Sequence, residues 1–247
     1  MTLRSALHAV TSAAIALVIA AAPADMAAQS FWKKLTGRSD KQTEAKAEDT
    51  GKTDKKQKKS KKNAPAVESD PMEMSLDENL LSPAVPAKQH EYVKSAMNTL
   101  AKELARLKRA RVETLRHGEV VVATLSSDIL FGPNDTTLRT TADDLLRPYA
   151  ALLDDDRYKI LLTAHTDDTG SEAYTDRLSA ARVNAVADRL SEISSGRNSN
   201  PVVVPYAMGA SEPLKPNTSS ANRSANRRVE IYIVPTAVMV AEAKRSR

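Results

Sequence analysis

The sequence contains no cysteine. That excludes a disulfide scaffold, thiolate metal sites and cysteine nucleophiles, and it excludes a lipid-bearing cysteine behind a signal segment. Aromatics are scarce as well: one Trp, two Phe and six Tyr in 247 residues. Trp32 and Phe31 sit together near the N-terminus, outside any expected core, and no aromatic occurs from Lys33 to Glu91. A stretch of that length with few branched apolar residues cannot bury enough surface to offset the entropy of ordering it. Residues 29–87 are therefore expected to be a disordered, Lys-rich linker. A flexible chain of about 60 residues has a root-mean-square span of roughly 40 Å, so it can act as a tether. A long hydrophobic run is also missing. The run from Ala13 to Ala22 is ten residues, against the roughly 20 that a spanning helix needs.

What is there begins with a charge imbalance. The formal net charge is +5, but Lys33 to Lys62 alone carries eleven Lys and Arg38 against five acids. The basic excess therefore lies in the tract, and the rest of the chain is slightly acidic. A basic tail on a near-neutral domain points to attraction towards anionic surfaces through the tail. The tract has no interleaved aromatics for base stacking, so a nucleic-acid partner is not expected. Arg4, the apolar run and then Ala22-Pro-Ala24 or Met26-Ala-Ala28 follow the three-part pattern of a secretory signal peptide, placed at 1–28.

From about Pro86 the pattern becomes helical, with Val93, Met97, Leu100, Leu104 and Leu107 at alternating steps of four and three. An amphipathic helix is predicted over 88–117. The spacing also fits a heptad seam, which would make 92–116 a homodimer contact. Arg111 and Thr114 interrupt it after about two heptads, and packing on the domain is the other outcome.

His117-Gly118 ends that helix. The domain then spans 118–236, with 237–247 as a C-terminal tail. Glu119–Leu125, Lys159–Ala164, Val202–Tyr206 and Val229–Val234 read as strands, and Thr141–Leu153 and Ser171–Ile193 as helices. In the first helix Leu145, Tyr149 and Leu152 share a face, and Pro148 is tolerable only if the helix starts late. The order β-α-β-α-β-β predicts an α+β fold, a two-layer sandwich of helices on one sheet.

The densest polar signal is His165-Thr-Asp-Asp-Thr-Gly170, between a strand end and a helix start, where open sheets usually bind ligands. Gly170 permits the tight turn, Ser171 suits the N-cap and Glu172 complements the helix dipole. Arg182 borders the apolar stripe of that helix, where a guanidinium is costly without a carboxylate. Asp167 precedes the same helix. Either the two pair internally, or a ligand bearing both an amine and a carboxylate lies between them. Three metal ligands drawn from His165, Asp167 and Asp168 could not converge from one strand end, which argues against a metal hydrolase. Arg227 and Arg228 read as strand-opening charges that pair with nearby acids, and His165 and Tyr206 as structural groups.

Thr166-Asp167, ten residues, Leu178-Ser179, two residues, Arg182, Val183 and Val186 resembles the motif of the OmpA C-terminal-like (OmpA/MotB) family. Ile129-Leu-Phe131, Gly209-Ala-Ser-Glu-Pro213 and Asn226-Arg-Arg-Val-Glu-Ile231 extend the likeness over roughly Val120 to Val234, in order. Val183 stands where the family usually has Ala, Ala164 where it has Gly, and Phe131-Gly-Pro-Asn134 replaces an acid-rich loop. The resemblance implies a non-catalytic domain without cofactor or metal that binds the peptidoglycan stem peptide. Asp167 and Arg182 would hold the amine and carboxylate of meso-diaminopimelate, and Phe131, Asn134, Thr166 and Leu178 would line the pocket. It further implies a place in the periplasm, associated with the outer membrane and wall of a Gram-negative-type envelope. The N-terminal region would dock another envelope protein, and a stator-like, membrane-anchored force transducer is the alternative reading.

Overall fold

The computed structural model describes residues 70–107 and 110–246. The expected signal peptide and most of the expected Lys-rich linker lie outside them. The β-branched runs form five strands: β1 (Arg111–Leu115), β2 (Val120–Ser126), β3 (Tyr158–His165), β4 (Val203–Gly209) and β5 (Arg228–Pro235). Their order across the sheet is β1-β2-β5-β3-β4. Every neighbouring pair is antiparallel except β3 with β4. The helices are α1 (Leu76–Leu81), α2 (His90–Ala105), α3 (Ser127–Leu130), α4 (Ala142–Ala150), α5 (Glu172–Ile193), α6 (Ser220–Asn226) and α7 (Ala237–Arg245).

Period-two alternation sorts each strand between two faces. Val121, Ala123 and Leu125 of β2, Ile160 and Leu162 of β3, and Val229, Ile231 and Ile233 of β5 face the main core. There they meet Leu146 and Tyr149 of α4, Val183, Val186 and Leu190 of α5, and Met239 of α7. Leu115, Val120, Val122, Leu161, Val204, Tyr232 and Val234 turn to the other face, which Leu80 of α1 covers. The α+β two-layer sandwich is as expected, with β2, α4, β3, α5, β4 and β5 in the predicted order.

Several boundaries differ. The helix expected over 88–117 ends at Ala105, and Arg111–Leu115 is an edge strand paired with β2 from Arg111↔Thr124 to Leu115↔Val120. Val112 and Thr114 favour extended backbone. The joining turn places Arg116, His117 and Gly118 at positive φ, so Gly118 closes a hairpin and not a helix. Val93, Met97, Leu100 and Leu104 are buried in the domain's own core, so of the two outcomes for this stripe the structure takes packing. The segment expected as a tail is α7, fixed by buried Met239 and Ala243. In α4 the buried residues are Ala142, Leu146, Tyr149 and Ala150, followed by Leu153, while Leu145 and Leu152 are only half-buried: Tyr149 faces the core as expected, but the leucines beside it are each the next residue along. Pro148 lies inside this helix. The carbonyl it leaves without a partner is that of exposed Asp144, where water can serve it.

The largest departure is that residues 70–82, expected to be linker, are folded onto the sheet. Ser75 and Glu78 form a reciprocal capping box for α1. Buried Asn79 donates to the Pro71 carbonyl at 2.6 Å and to the Tyr206 hydroxyl at 2.7 Å, and its Oδ1 accepts from Lys159 Nζ at 2.8 Å. Tyr206 in turn donates to the Met74 carbonyl at 2.9 Å, a structural role as expected. Arg116 donates to the Leu80 carbonyl at 2.6 Å.

Burial, aided by the nearby Arg116 charge, pushes the Lys159 ammonium down to about 8. An unfolded lysine holds its proton to about pH 10.4. Between those values the unfolded chain binds more protons than the folded one, so stability should rise with pH across that window. Lys159→Met should flatten the rise in urea unfolding midpoints measured from pH 7 to 10. An unchanged slope would count against this assignment.

Candidate functional site

With β3 parallel to β4 and both β2 and β3 antiparallel to β5, the carboxyl ends of β2, β3 and β4 and the start of β5 lie at one end of the sheet. A cleft of about 480 Å³ opens there. Phe131, Asn134, Thr166, Asp167, Leu178 and Arg182 all line it, so the structure brings together the six residues expected to form the ligand pocket.

The β3 side is set by a register shift between Ala164 and His165, opposite Gly209. Thr166 N–H donates to the Gly209 carbonyl at 2.8 Å, and Gly209 N–H donates to Ser179 Oγ at 3.0 Å, tying β3, β4 and α5 at one point. Gly209 has φ +51, a conformation that strains other residues, and a Cβ there would lie 2.3 Å from Asp176 Oδ1, which would have to move. Gly170 turns the chain with φ +110, and Ser171 caps α5 by accepting from Tyr174 N–H at 3.3 Å. Both match the expectation. Thr166 Oγ1 is buried in the cleft lining and has no partner among the described residues.

His165 points away from the cleft. It lies with Thr163 and Glu230 on the other sheet face, its Nε2 2.9 Å from Thr163 Oγ1. Burial pushes its imidazole below the ordinary range, favouring the neutral form.

Asp167 and Arg182 do not pair with each other. Asp167 Oδ1 accepts from Thr169 N–H at 2.9 Å, and Oδ2 accepts from Arg227 Nη1 at 2.7 Å. Burial acts to raise the Asp167 carboxyl, but these bonds outweigh it and hold the group below the usual carboxylate range. Arg182 is 4% exposed. Its Nε donates to the Asp135 carbonyl at 2.9 Å and its Nη2 to the Gly132 carbonyl at 3.3 Å, and the guanidinium lies over the Phe131 ring, 5.1 Å from the centroid. It forms no ion pair with a carboxylate among the described residues. Burial lowers its basicity, as expected for a cation that lacks a compensating anion. The loop from Phe131 to Asp135 thus contributes backbone carbonyls and an aromatic face to Arg182. Asn134, at φ +54, forms its exposed tip.

Sequence reasoning missed part of the site. Asp128, Arg139, Ser220 and Arg223 also line the cleft. Arg227 pairs with acids as expected, but one of them is Asp167, and this places it in the cleft wall. Arg228, one residue on, faces the other way and donates to Glu230 at 2.7 Å. That split was readable, because neighbours at a strand start point to opposite faces. Asp128 carried no such signal, being 99 residues away in sequence from the arginine it holds. The charged lining is two carboxylates and four guanidiniums, which favours a ligand of net negative charge.

Residues 130–227 match the model of the OmpA family. Over 110 residues the chain is 39% identical to the outer-membrane lipoprotein YfiB of Pseudomonas aeruginosa, covering 44% of this chain and 64% of that protein. It is 31% identical over 110 residues to the putative lipoprotein YfiB of Escherichia coli, covering 44% of this chain and 68% of that one. The chain therefore spans about two thirds of the length of these curated relatives. Among solved structures, the cell wall anchor of the T6SS from Pseudomonas aeruginosa is 27% identical with a TM-score of 0.44, covering 56% of this chain and 96% of the other. A periplasmic domain of Helicobacter pylori MotB is 23% identical with a TM-score of 0.44, covering 55% and 95%.

Proposed function

Because this chain belongs to the OmpA family, we propose that its C-terminal half binds peptidoglycan non-covalently and without catalysis, tethering an envelope component to the cell wall. The observation that supports this most is Arg182: a buried guanidinium without a carboxylate partner among the described residues, in the same cleft as a carboxylate held in its ionised form. A buried unpaired cation is expensive unless a ligand anion completes it. The diamino acid of a stem peptide, meso-diaminopimelate, offers a carboxylate to Arg182 and an ammonium to Asp167. Thr166 Oγ1 supplies a further hydrogen-bonding group, and Phe131, Leu178 and Asn134 shape the walls. The envelope partner is assigned to the N-terminal region, which carries Phe31, Trp32 and the Lys-rich tract.

Co-sedimentation of the full chain with isolated peptidoglycan tests this reading. Asp167→Asn should weaken binding about tenfold, since a charge-assisted bond to the ammonium becomes a neutral one. Undiminished binding would remove Asp167 from the site, and no binding by the wild type would sink the function.

A further inference from the structure

Asp128, Asp167 and Arg227 come from three distant parts of the chain and meet in the cleft wall. Asp128 opens α3, Asp167 follows β3, and Arg227 precedes β5. The Arg227 guanidinium donates Nε to Asp128 Oδ1 at 2.9 Å and Nη2 to Asp128 Oδ2 at 2.8 Å, a two-pronged bond. A single nitrogen, Nη1, reaches Asp167 Oδ2 at 2.7 Å. Asp128 is itself fixed, accepting from Ser224 Oγ at 2.9 Å.

A guanidinium bound to Asp167 alone would neutralise that carboxylate and repel an arriving ammonium. Here the fork of Arg227 is committed to Asp128, and the three groups together carry one negative charge. Asp167 is the more buried of the two acids, with a side chain 10% exposed against 45% for Asp128, so its charge is the less screened. Resting on the wall-binding reading above, we propose that Asp128 is a positioning residue for amine recognition: by holding the two-pronged side of Arg227, it leaves Asp167 able to accept a ligand ammonium. Without the charge of Asp128, Arg227 falls to Asp167 and takes the place of the ligand's amine.

The test is calorimetric titration of the full chain with a soluble disaccharide–tetrapeptide wall fragment whose stem-peptide side-chain amine is free, and with the same fragment acetylated at that amine. The wild type should bind the free amine and lose most affinity on acetylation. Asp128→Asn should weaken binding of the free amine about tenfold, with little further change for the acetylated fragment. Asp128→Glu, which keeps the charge, should bind within about threefold of wild type. Asp128→Asn combined with Arg227→Gln should recover to the same range, because the competing cation is gone with its holder. A merely structural role for Asp128 would not give that rescue. Wild-type affinity in Asp128→Asn, or a double variant as weak as the single, overturns the role of Asp128 and leaves the wall-binding reading intact. Equal binding of acetylated and free fragments by the wild type overturns amine recognition at Asp167 and with it the role of Asp128, whereas no binding of either fragment by the wild type overturns the wall-binding reading.

Discussion

Arg182→Ala should lower affinity for wall fragments on the order of 100-fold while the domain still folds. The size of the effect follows from burial. A guanidinium out of water, facing a ligand carboxylate, gives a charge-assisted and two-pronged bond in a weakly screened site. Its removal leaves the ligand's anion desolvated and unpaired. The fold should survive because Arg182 anchors a loop and no secondary-structure ladder: what is lost internally is the pair of bonds to the Asp135 and Gly132 carbonyls and the contact with Phe131. Arg182→Lys separates the two contributions. Lysine keeps the charge, but it cannot hold both carbonyls and present a planar fork to a carboxylate at once. Its affinity should stay at least about tenfold below wild type. Both variants should be compared by calorimetry and by thermal unfolding. Wild-type affinity in Arg182→Ala would show that the ligand carboxylate is bound elsewhere in the cleft.

The core of this site was legible because its residues are local in sequence. Asp167, Gly170, Ser171 and Arg182 occupy one strand-loop-helix junction, so turn chemistry and helical spacing fix their neighbourhood without knowledge of the rest of the fold. Whether Asp167 and Arg182 pair was not legible. The answer depends on Arg227, which reaches Asp167 only because β5 is inserted between β2 and β3 in the sheet. The same limit explains the elements that were misread. Arg111–Leu115 continues a charged, periodic segment and becomes a strand only by pairing with β2. Ala237–Arg245 is too short to announce itself as a helix, since most of the stability of such a piece comes from packing. Composition misjudged residues 70–82 for a related reason. Their few apolar side chains could not form a core alone, but they did not need to, because they complete a sheet face that other segments supply.

That completion is what makes Leu80 the residue outside the main core with the largest expected effect on stability. Its side chain is 0% exposed and is the chief apolar contact of α1 with Leu161, Val204, Tyr232 and Val234. Leu80→Ala removes three carbons from that layer and should cost about 3 kcal/mol, within the range for buried leucines. The loss should be local before it is global. The six residues of α1 have too few internal hydrogen bonds to persist alone, so the strap should open from the sheet while the main core, built on the other face, stays packed. Three observations then follow together. The urea midpoint drops, limited proteolysis cuts within 70–85 under conditions where wild type resists, and amide exchange speeds up at α1 with α5 unaffected. Asn79 and Tyr206 give this outcome its specificity. When α1 lifts, the bond between Lys159 and Asn79 breaks and the lysine meets water, so its titration should move back towards the ordinary lysine range. Leu80→Ala should therefore also weaken the dependence of stability on pH between about 8 and 10.4. If the variant keeps the wild-type midpoint and the wild-type protease resistance, α1 contributes nothing to the fold, and residues 70–82 act as the linker that their composition suggested.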